Sequence, residues 1–372
     1  HFGFNASDLE ASRRFYFDLL GFFVTEPAGA GYFGRHAGDH HSFALFDKKK
    51  FNDRQYAGHN AKHFREENDI NQITWQVQSI AEMADATQYF HNLGVEVMRE
   101  GRAGGGGSQY HLYVWAPDEQ IFELYYGIEQ ISWNGYARPV AMRHGNAVAP
   151  TEPQLPEYEL VSRDMKNGVS VLDGRRWISE MPLKYNVDGV LLPQPFKITR
   201  VGPVKLFVDD YEKLKRWHME VLGFTLTEEV EWQGERCAFL RCDNEHHSLG
   251  IVPKSWRIKL GLSDKTSSMS LGLQLANYRQ LKDAVKFLRD HGVRVETDLI
   301  PPELHPGIDY AAYAFDPDGH CLELYYYMEQ LGWDGKARPK ELRRKVDPNH
   351  WPDMLEPLSD TFTGEPFIGA WA

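Results

Sequence analysis

The chain has 372 residues, 42% hydrophobic and 25% charged, the make-up of a folded globular protein with material for two cores rather than of a disordered or fibrous one. Its 41 basic residues face 53 acidic ones, a net charge of −12 with no basic patch, and such a surface repels a phosphate backbone, so nucleic acid is not an expected partner. No apolar run is long enough to cross a bilayer and no secretory signal opens the chain; three widely spaced cysteines (Cys237, Cys242, Cys321) form neither a disulfide framework nor a CxxC metal motif, so a reducing, cytoplasmic setting is expected.

The chain opens on His1, not Met, with an extended stretch to Asn5. A helix follows, capped by Ser7 or Asp8, with Leu9, Phe15, Leu19 and Leu20 on one face and Gly21 as its stop. Strands come next, ending in SFALFD (42–47), and the basic run Lys48-Lys49-Lys50 reads as a solvated strand end. The alternating run QITWQV (72–77) starts a second unit, with a helix over AEMADATQYFHNL (81–93), a stop at Gly94, and strands in YHLYVWAP and IFELYY. Residues 140–199 are richer in Pro and Gly and read as an ordered linker with a short strand at GVSVLD (168–173).

The second half then repeats the first. SDLEASRRFYFDLLGF (7–22) is matched by DDYEKLKRWHMEVLGF (209–224), His40-His41-Ser42 by His246-His247-Ser248, YVWAPDEQIFELYY (113–126) by YAFDPDGHCLELYY (313–326), and EQISWNGYARP (129–139) by EQLGWDGKARP (329–339). Each half thus reads βαβββ–βαβββ, an α+β pattern with mixed sheets. The expected domains are 1–139 and 200–339, joined by 140–199. A tail from 340 to 372 carries Trp351, Phe367 and Trp371 and is too aromatic to hang free.

Paired βαβββ modules carrying SDLEASRRFYFDLLGF, HHS and PDxxxxELYY resemble the vicinal oxygen chelate superfamily, and within it the two-domain type I extradiol ring-cleavage dioxygenases of the catechol 2,3-dioxygenase and dihydroxybiphenyl dioxygenase kind. The resemblance spans roughly residues 1–130 and 200–330, and implies a glyoxalase-like fold of curved mixed sheets. It also implies one ferrous ion held by two histidines and a carboxylate, a small aromatic diol and O2 as substrates, and a homo-oligomer. Such a triad leaves a coordination face open for substrate and dioxygen together. The same superfamily hosts glyoxalases, epimerases and resistance proteins, so activity does not follow from fold alone.

Carried onto this sequence, the resemblance places the first ligand at His1, the second at Gln72 where the family has His, the carboxylate at Glu123, the acid/base at His41 and a substrate-binding hydroxyl at Tyr113. In the second half the two ligand positions fall on Pro203 and Ser270, and only His247, Tyr313 and Glu323 remain, so that half is expected to lack a metal. A swapped pairing of His1 with Ser270 and Glu323 gives a poorer set. The amide oxygen of Gln72 is a harder donor than imidazole, which opens Mn(II), Zn(II) or Ni(II) as alternatives to Fe(II).

Each residue also has a plainer reading. Glu123 and Glu323 sit on apolar strands and could be structural ion pairs. Tyr113 and Tyr313 could be strand aromatics in the core. His40 and His246, adjacent to His41 and His247, are expected on the opposite face. His111, His305 and His320 lie near these strands without a fixed direction. Gly104 to Gly107 reads as a loop at the mouth of the sheet, and His59 and His63 in HNAKH lack the glutamate of a metalloprotease helix. The expected function is a non-haem extradiol dioxygenase. The alternatives are a metal-dependent lyase, isomerase or glyoxalase-type enzyme, and a non-catalytic protein that binds an aromatic ligand.

Overall fold

A computed structural model of the chain describes residues 1–148, 155–178, 181–331 and 334–355. Two sheets of eight strands each account for both halves of the repeat.

In the first, the strands are β1 (Phe2–Ala6), β2 (Phe23–Ala28), β3 (Gly31–Arg35), β4 (Phe43–Asp47), β5 (Ile70–Gln76), β6 (Val97–Arg102), β7 (Ser108–Trp115) and β8 (Ile121–Ile128), and the spatial order is β2-β3-β4-β1-β5-β8-β7-β6. The two first strands, β1 and β5, meet antiparallel at the centre, each flanked by the parallel last strand of its own module, β4 and β8. Helix α1 (Leu9–Arg13) runs on as a π-helical stretch to Leu19; α2 (Lys48–Gln55) follows β4, and α3 (Ile80–Asn92) follows β5. Helix α3 starts where Ser79 accepts the Glu82 N–H and the Glu82 carboxylate accepts the Gln78 N–H, a reciprocal cap. It buries Met83, Ala86 and Phe90, and a fully buried Phe or Met contributes about 1.5–3 kcal/mol.

The basic run Lys48-Lys49-Lys50 opens α2 rather than ending a strand, because the Asp47 side chain caps the helix by accepting the Lys50 N–H. In the linker lies α4 (Glu157–Lys166), and GVSVLD forms a single 3-10 turn at Val171–Asp173 in place of the expected strand: Ser170 and Asp173 close a capping box that competes with extension. A hairpin of β9 (Tyr185–Val187) and β10 (Val190–Leu192) precedes the second sheet.

That sheet contains β11 (Ile198–Val208), β12 (Thr225–Trp232), β13 (Glu235–Arg241), β14 (Leu249–Pro253), β15 (Ser268–Leu275), β16 (Val295–Glu296), β17 (Ala311–Phe315) and β18 (Cys321–Tyr325), ordered β12-β13-β14-β11-β15-β18-β17-β16. Helices α5 (Tyr211–Glu220), α6 (Trp256–Lys259) and α7 (Tyr278–Asp290) occupy the places of α1, α2 and α3. Two compact units result, and their limits differ from the halves of the repeat: Glu10–Gly21 sorts with the second unit rather than the first. There the Tyr16 hydroxyl donates to Asp316 at 2.9 Å. The tail is bound through Trp351, which packs on the rings of Tyr278 and Tyr310, while Phe367 and Trp371 lie outside the described residues. No described helix is long and apolar enough to cross a membrane.

Candidate active site in the first unit

The registers of the two sheets reproduce the repeat residue by residue. Gly3 faces Gln72 across β1 and β5 as Lys205 faces Ser270 across β11 and β15. Thr74 pairs with Glu123 as Gly272 pairs with Glu323, and Tyr113 with Glu123 as Tyr313 with Glu323. His1, next to the strand residue Phe2, is held by its carbonyl, which accepts the Thr74 N–H at 3.0 Å.

On the shared face, His1 Nε2 stands 3.0 Å from Glu123 Oε2, and both side chains are buried. Thr74 Oγ1 donates to the same oxygen at 2.9 Å, and Ser108 Oγ to Oε1 at 3.3 Å. Burial pushes the Glu123 carboxyl up, but the charge and hydrogen bond of His1, with help from His111 and Thr74, outweigh it and hold the group below the ordinary carboxylate range. Tyr113 donates to Gln72 Oε1 at 3.4 Å, and burial first, then the Glu123 charge, raises its hydroxyl well above the usual value. The His41 ring lies 4.2 Å from that of His1. Burial, and then the charges of His1 and His40, push His41 well below the ordinary histidine value, so it is neutral at pH 7.

Glu123, Gln72, His41, His111, Tyr113 and Ser108 line a cavity of about 360 Å³. Phe33, Phe46, Phe51 and Ile121 give it an apolar wall, and Arg54 and Arg99 add exposed cations for which no carboxylate partner is present among the described residues. The Arg99 guanidinium lies over the Tyr113 ring at 4.0 Å. The glycine run borders the cavity too. At Gly107, with φ of +94°, a Cβ would stand 2.2 Å from the His41 ring, so only glycine lets this loop close on the histidine.

The donor set fits a divalent cation. His1 Nε2 and Glu123 Oε2 stand at the 3.0 Å of a hydrogen-bonded pair, a separation that two cis ligands each about 2.1 Å from a metal would also keep. Nδ1 of His1 is buried without a partner among the described residues, so the ring is held through its other nitrogen alone. The third donor that the sequence offers, Gln72, lines the same cavity. One imidazole with oxygen donors is a harder set than two imidazoles and a carboxylate.

The second unit is built differently. Lys205 Nζ lies 2.8 and 2.7 Å from the two oxygens of Glu323, and neither side chain reaches solvent. Glu323 therefore serves as the partner of a lysine, and Tyr313 donates to it at 3.4 Å from within a core of Trp256, Leu304 and Ile308. Ser270 Oγ and His247 Nε2 are buried with no hydrogen-bond partner among the described residues.

Sequence reasoning missed Thr74, Ser108 and Lys205; their signal was the period-two alternation that puts them on the glutamates' face. It also placed His40 and His246 opposite their neighbours. Instead each pair joins Nδ1 to Nδ1, at 3.1 Å for His40 and His41 and 3.2 Å for His246 and His247, because the residues precede the strand, where alternation does not apply. His63 stacks on Trp115 and pairs with Glu119, a structural role. His305 is buried, with Nδ1 on the Ile308 carbonyl. Asp316, Asp318 and His320 offer ligand atoms within 4.8 Å of one another, but the Asp316 carboxylate is taken up by Tyr16, His320 and the N–H groups of its own turn.

The family model for the Glyoxalase/Bleomycin resistance protein/Dioxygenase superfamily matches residues 1–124 and 200–324, and the chain belongs to that superfamily. Among solved structures, a catechol 2,3-dioxygenase is similar at 16% identity and a TM-score of 0.56, covering 91% of this chain and 90% of the other. The 2,3-dioxygenase LapB from Pseudomonas sp. KL28 is similar at 16% identity and 0.58, covering 90% and 93%. The Mn(II)-bound glyoxalase from Novosphingobium aromaticivorans is similar at 16% identity and 0.54, covering 90% and 83%. No curated protein matches in sequence. At these identities the likeness is one of fold.

Proposed function

We propose that the chain is a metal-dependent extradiol dioxygenase that cleaves a small catecholic ring with O2 in the first unit. The observation that carries this reading is the buried His1–Glu123 pair, whose glutamate lines an apolar-walled cavity together with His41 and Tyr113. His1 and Glu123, with Gln72, would hold the metal. A ferrous ion held there would supply a place where substrate oxygens and dioxygen meet.

The chain's own groups do the rest. The apolar wall takes the ring and excludes water. His41, neutral and beside His1, accepts a proton from the diol and returns it later. The Tyr113 hydroxyl, kept protonated, donates to a substrate oxygen. Arg54 and Arg99 favour the anionic form of the diol.

Gln72 favours a second reading, a lyase, isomerase or glyoxalase-type proton transfer that needs no redox metal and runs on Mn(II), Zn(II) or Ni(II). The test is metal content of anaerobically purified protein together with oxygen uptake on a panel of catechols. About one iron per chain with uptake, both lost in Glu123→Ala, supports the dioxygenase. Protein that stays inert after ferrous reconstitution overturns it.

A further inference from the structure

Behind His41 runs a chain of buried polar groups that the reading above does not use. His40 Nε2 lies 3.0 Å from Glu26 Oε1, and Arg143 Nη1 donates to that same oxygen at 2.8 Å. The other nitrogen of His40, Nδ1, lies 3.1 Å from Nδ1 of His41. Burial pushes the Glu26 carboxyl up, but the bonds from His40 and Arg143 outweigh it, so Glu26 is an ionised acceptor. The second unit repeats every link: Glu228 Oε2 meets His246 Nε2 at 3.2 Å and Arg343 Nη2 at 2.6 Å, and His246 Nδ1 meets His247 Nδ1 at 3.2 Å.

From this geometry we infer that Glu26 and His40 are positioning residues that lock His41 in its Nδ1–H tautomer and leave its Nε2 bare for the cavity. A carboxylate only accepts, so His40 carries its hydrogen on Nε2, and neutral His40 then offers a lone pair at Nδ1. The hydrogen between the two Nδ1 atoms must come from His41. With Nδ1 spent on His40, the nitrogen left to His41 is Nε2, a base rather than a donor.

The competing arrangement is a His40 imidazolium that donates both ways and leaves His41 with Nε2–H. The second unit argues against it. Its corresponding atom, His247 Nε2, is buried with no partner among the described residues. A bare nitrogen there wastes a lone pair, whereas an N–H would be a buried donor with nothing to accept it, the costlier orphan. In the second unit both Arg343 and Lys340 pair with Glu228, so His246 needs no charge to satisfy its carboxylate; in the first, Arg143 bonds Glu26 and also faces Glu129 at 3.4 Å.

The catalytic use of the bare Nε2 rests on the dioxygenase reading; the tautomer does not. Long-range proton–nitrogen correlation spectra of ¹⁵N-histidine-labelled protein, zinc-loaded and EDTA-treated, report which ring nitrogen carries hydrogen, with His41→Leu assigning the signals. The expected wild-type result at pH 7 is Nδ1–H at His41 in both samples. Glu26→Gln, whose amide oxygen can take the two donated bonds, should keep it. His40→Leu should release His41 to Nε2–H, and a folded Glu26→Met should do the same. A wild-type His41 with Nε2–H, or one that keeps Nδ1–H in a folded His40→Leu, overturns the inference. In turnover, His40→Leu should lower kcat about 100-fold with KM little changed, and Glu26→Gln should restore most of the rate that Glu26→Met loses. An unchanged kcat in His40→Leu alongside the expected spectrum overturns the base role of His41 and with it the catalytic half of the inference.

Discussion

Lys205 grips both carboxylate oxygens of Glu323 where, in the first unit, Gly3 leaves Glu123 without an ammonium. A Cβ on Gly3 would meet the Asn71 side chain at 2.1 Å, so the first unit has no room for any such residue. One backbone position thus decides which glutamate is free for other partners. Removing one member of a buried pair strands the other charge, at a cost of about 3–5 kcal/mol. Lys205→Met and Glu323→Leu should each lower stability by that order, and the double variant should recover most of it. Urea unfolding of the three variants checks this; additive losses would mean that the two groups are not coupled.

Arg99, stacked over the Tyr113 ring, offers the cavity a charge that no carboxylate among the described residues takes up. Replacing it by Gln should raise KM for a catechol about 10-fold, the worth of one charge-assisted hydrogen bond, and leave kcat within a factor of a few. Steady-state oxygen uptake separates the two. A loss confined to kcat would place Arg99 in the chemistry rather than in binding.

Acid should weaken the protein in two steps. Burial depresses His218 to about 4, against an ordinary 6.5, despite a bond to the Leu214 carbonyl. Below pH 6.5 the unfolded chain is protonated there and the folded one is not, so this share of stability is whole above 6.5 and falls until about pH 4. Glu228 is pushed up by burial but held at about 2 by His246 and Arg343. Its share is whole above pH 4.5 and is lost between 4.5 and 2. Each group contributes a slope of about 1.4 kcal/mol per pH unit in its window. Urea midpoints should fall less steeply than in the wild type between pH 6.5 and 4 in His218→Leu, and below 4.5 in Glu228→Gln.

Tyr16 belongs to a segment far in sequence from the unit in which it packs. Its bond to buried Asp316 makes that segment part of the second core. Tyr16→Phe should cost about 1 kcal/mol, and a fragment that starts at Met181 should unfold at lower urea than the intact chain. A fragment as stable as the whole would show that Glu10–Gly21 adds nothing there.

Much of this was legible in the chain. The repeat fixed the alignment, alternation put the Glu123 side chain on one face of its strand, and the resemblance pointed to Gln72; in the register Thr74, two residues beyond Gln72, pairs with Glu123. What escaped were relations between residues remote in sequence. Lys205 reads as an ordinary strand lysine until Glu323 is brought beside it. Strand periodicity has His40 facing away from His41, but both residues precede β4, which starts at Phe43. The capping box at Ser170 and the Asp47 cap on α2 were local signals, present in the sequence and outweighed there by β-branched and basic neighbours.

Two versions of one architecture in a single polypeptide, one whose carboxylate meets a histidine at the edge of a cavity and one whose carboxylate is countered by a tethered ammonium, make the protein its own blank. Whatever a metal, a catechol or a change of buffer does to the signals of His41 but not to those of His247 belongs to the site. Whatever it does to both belongs to the scaffold.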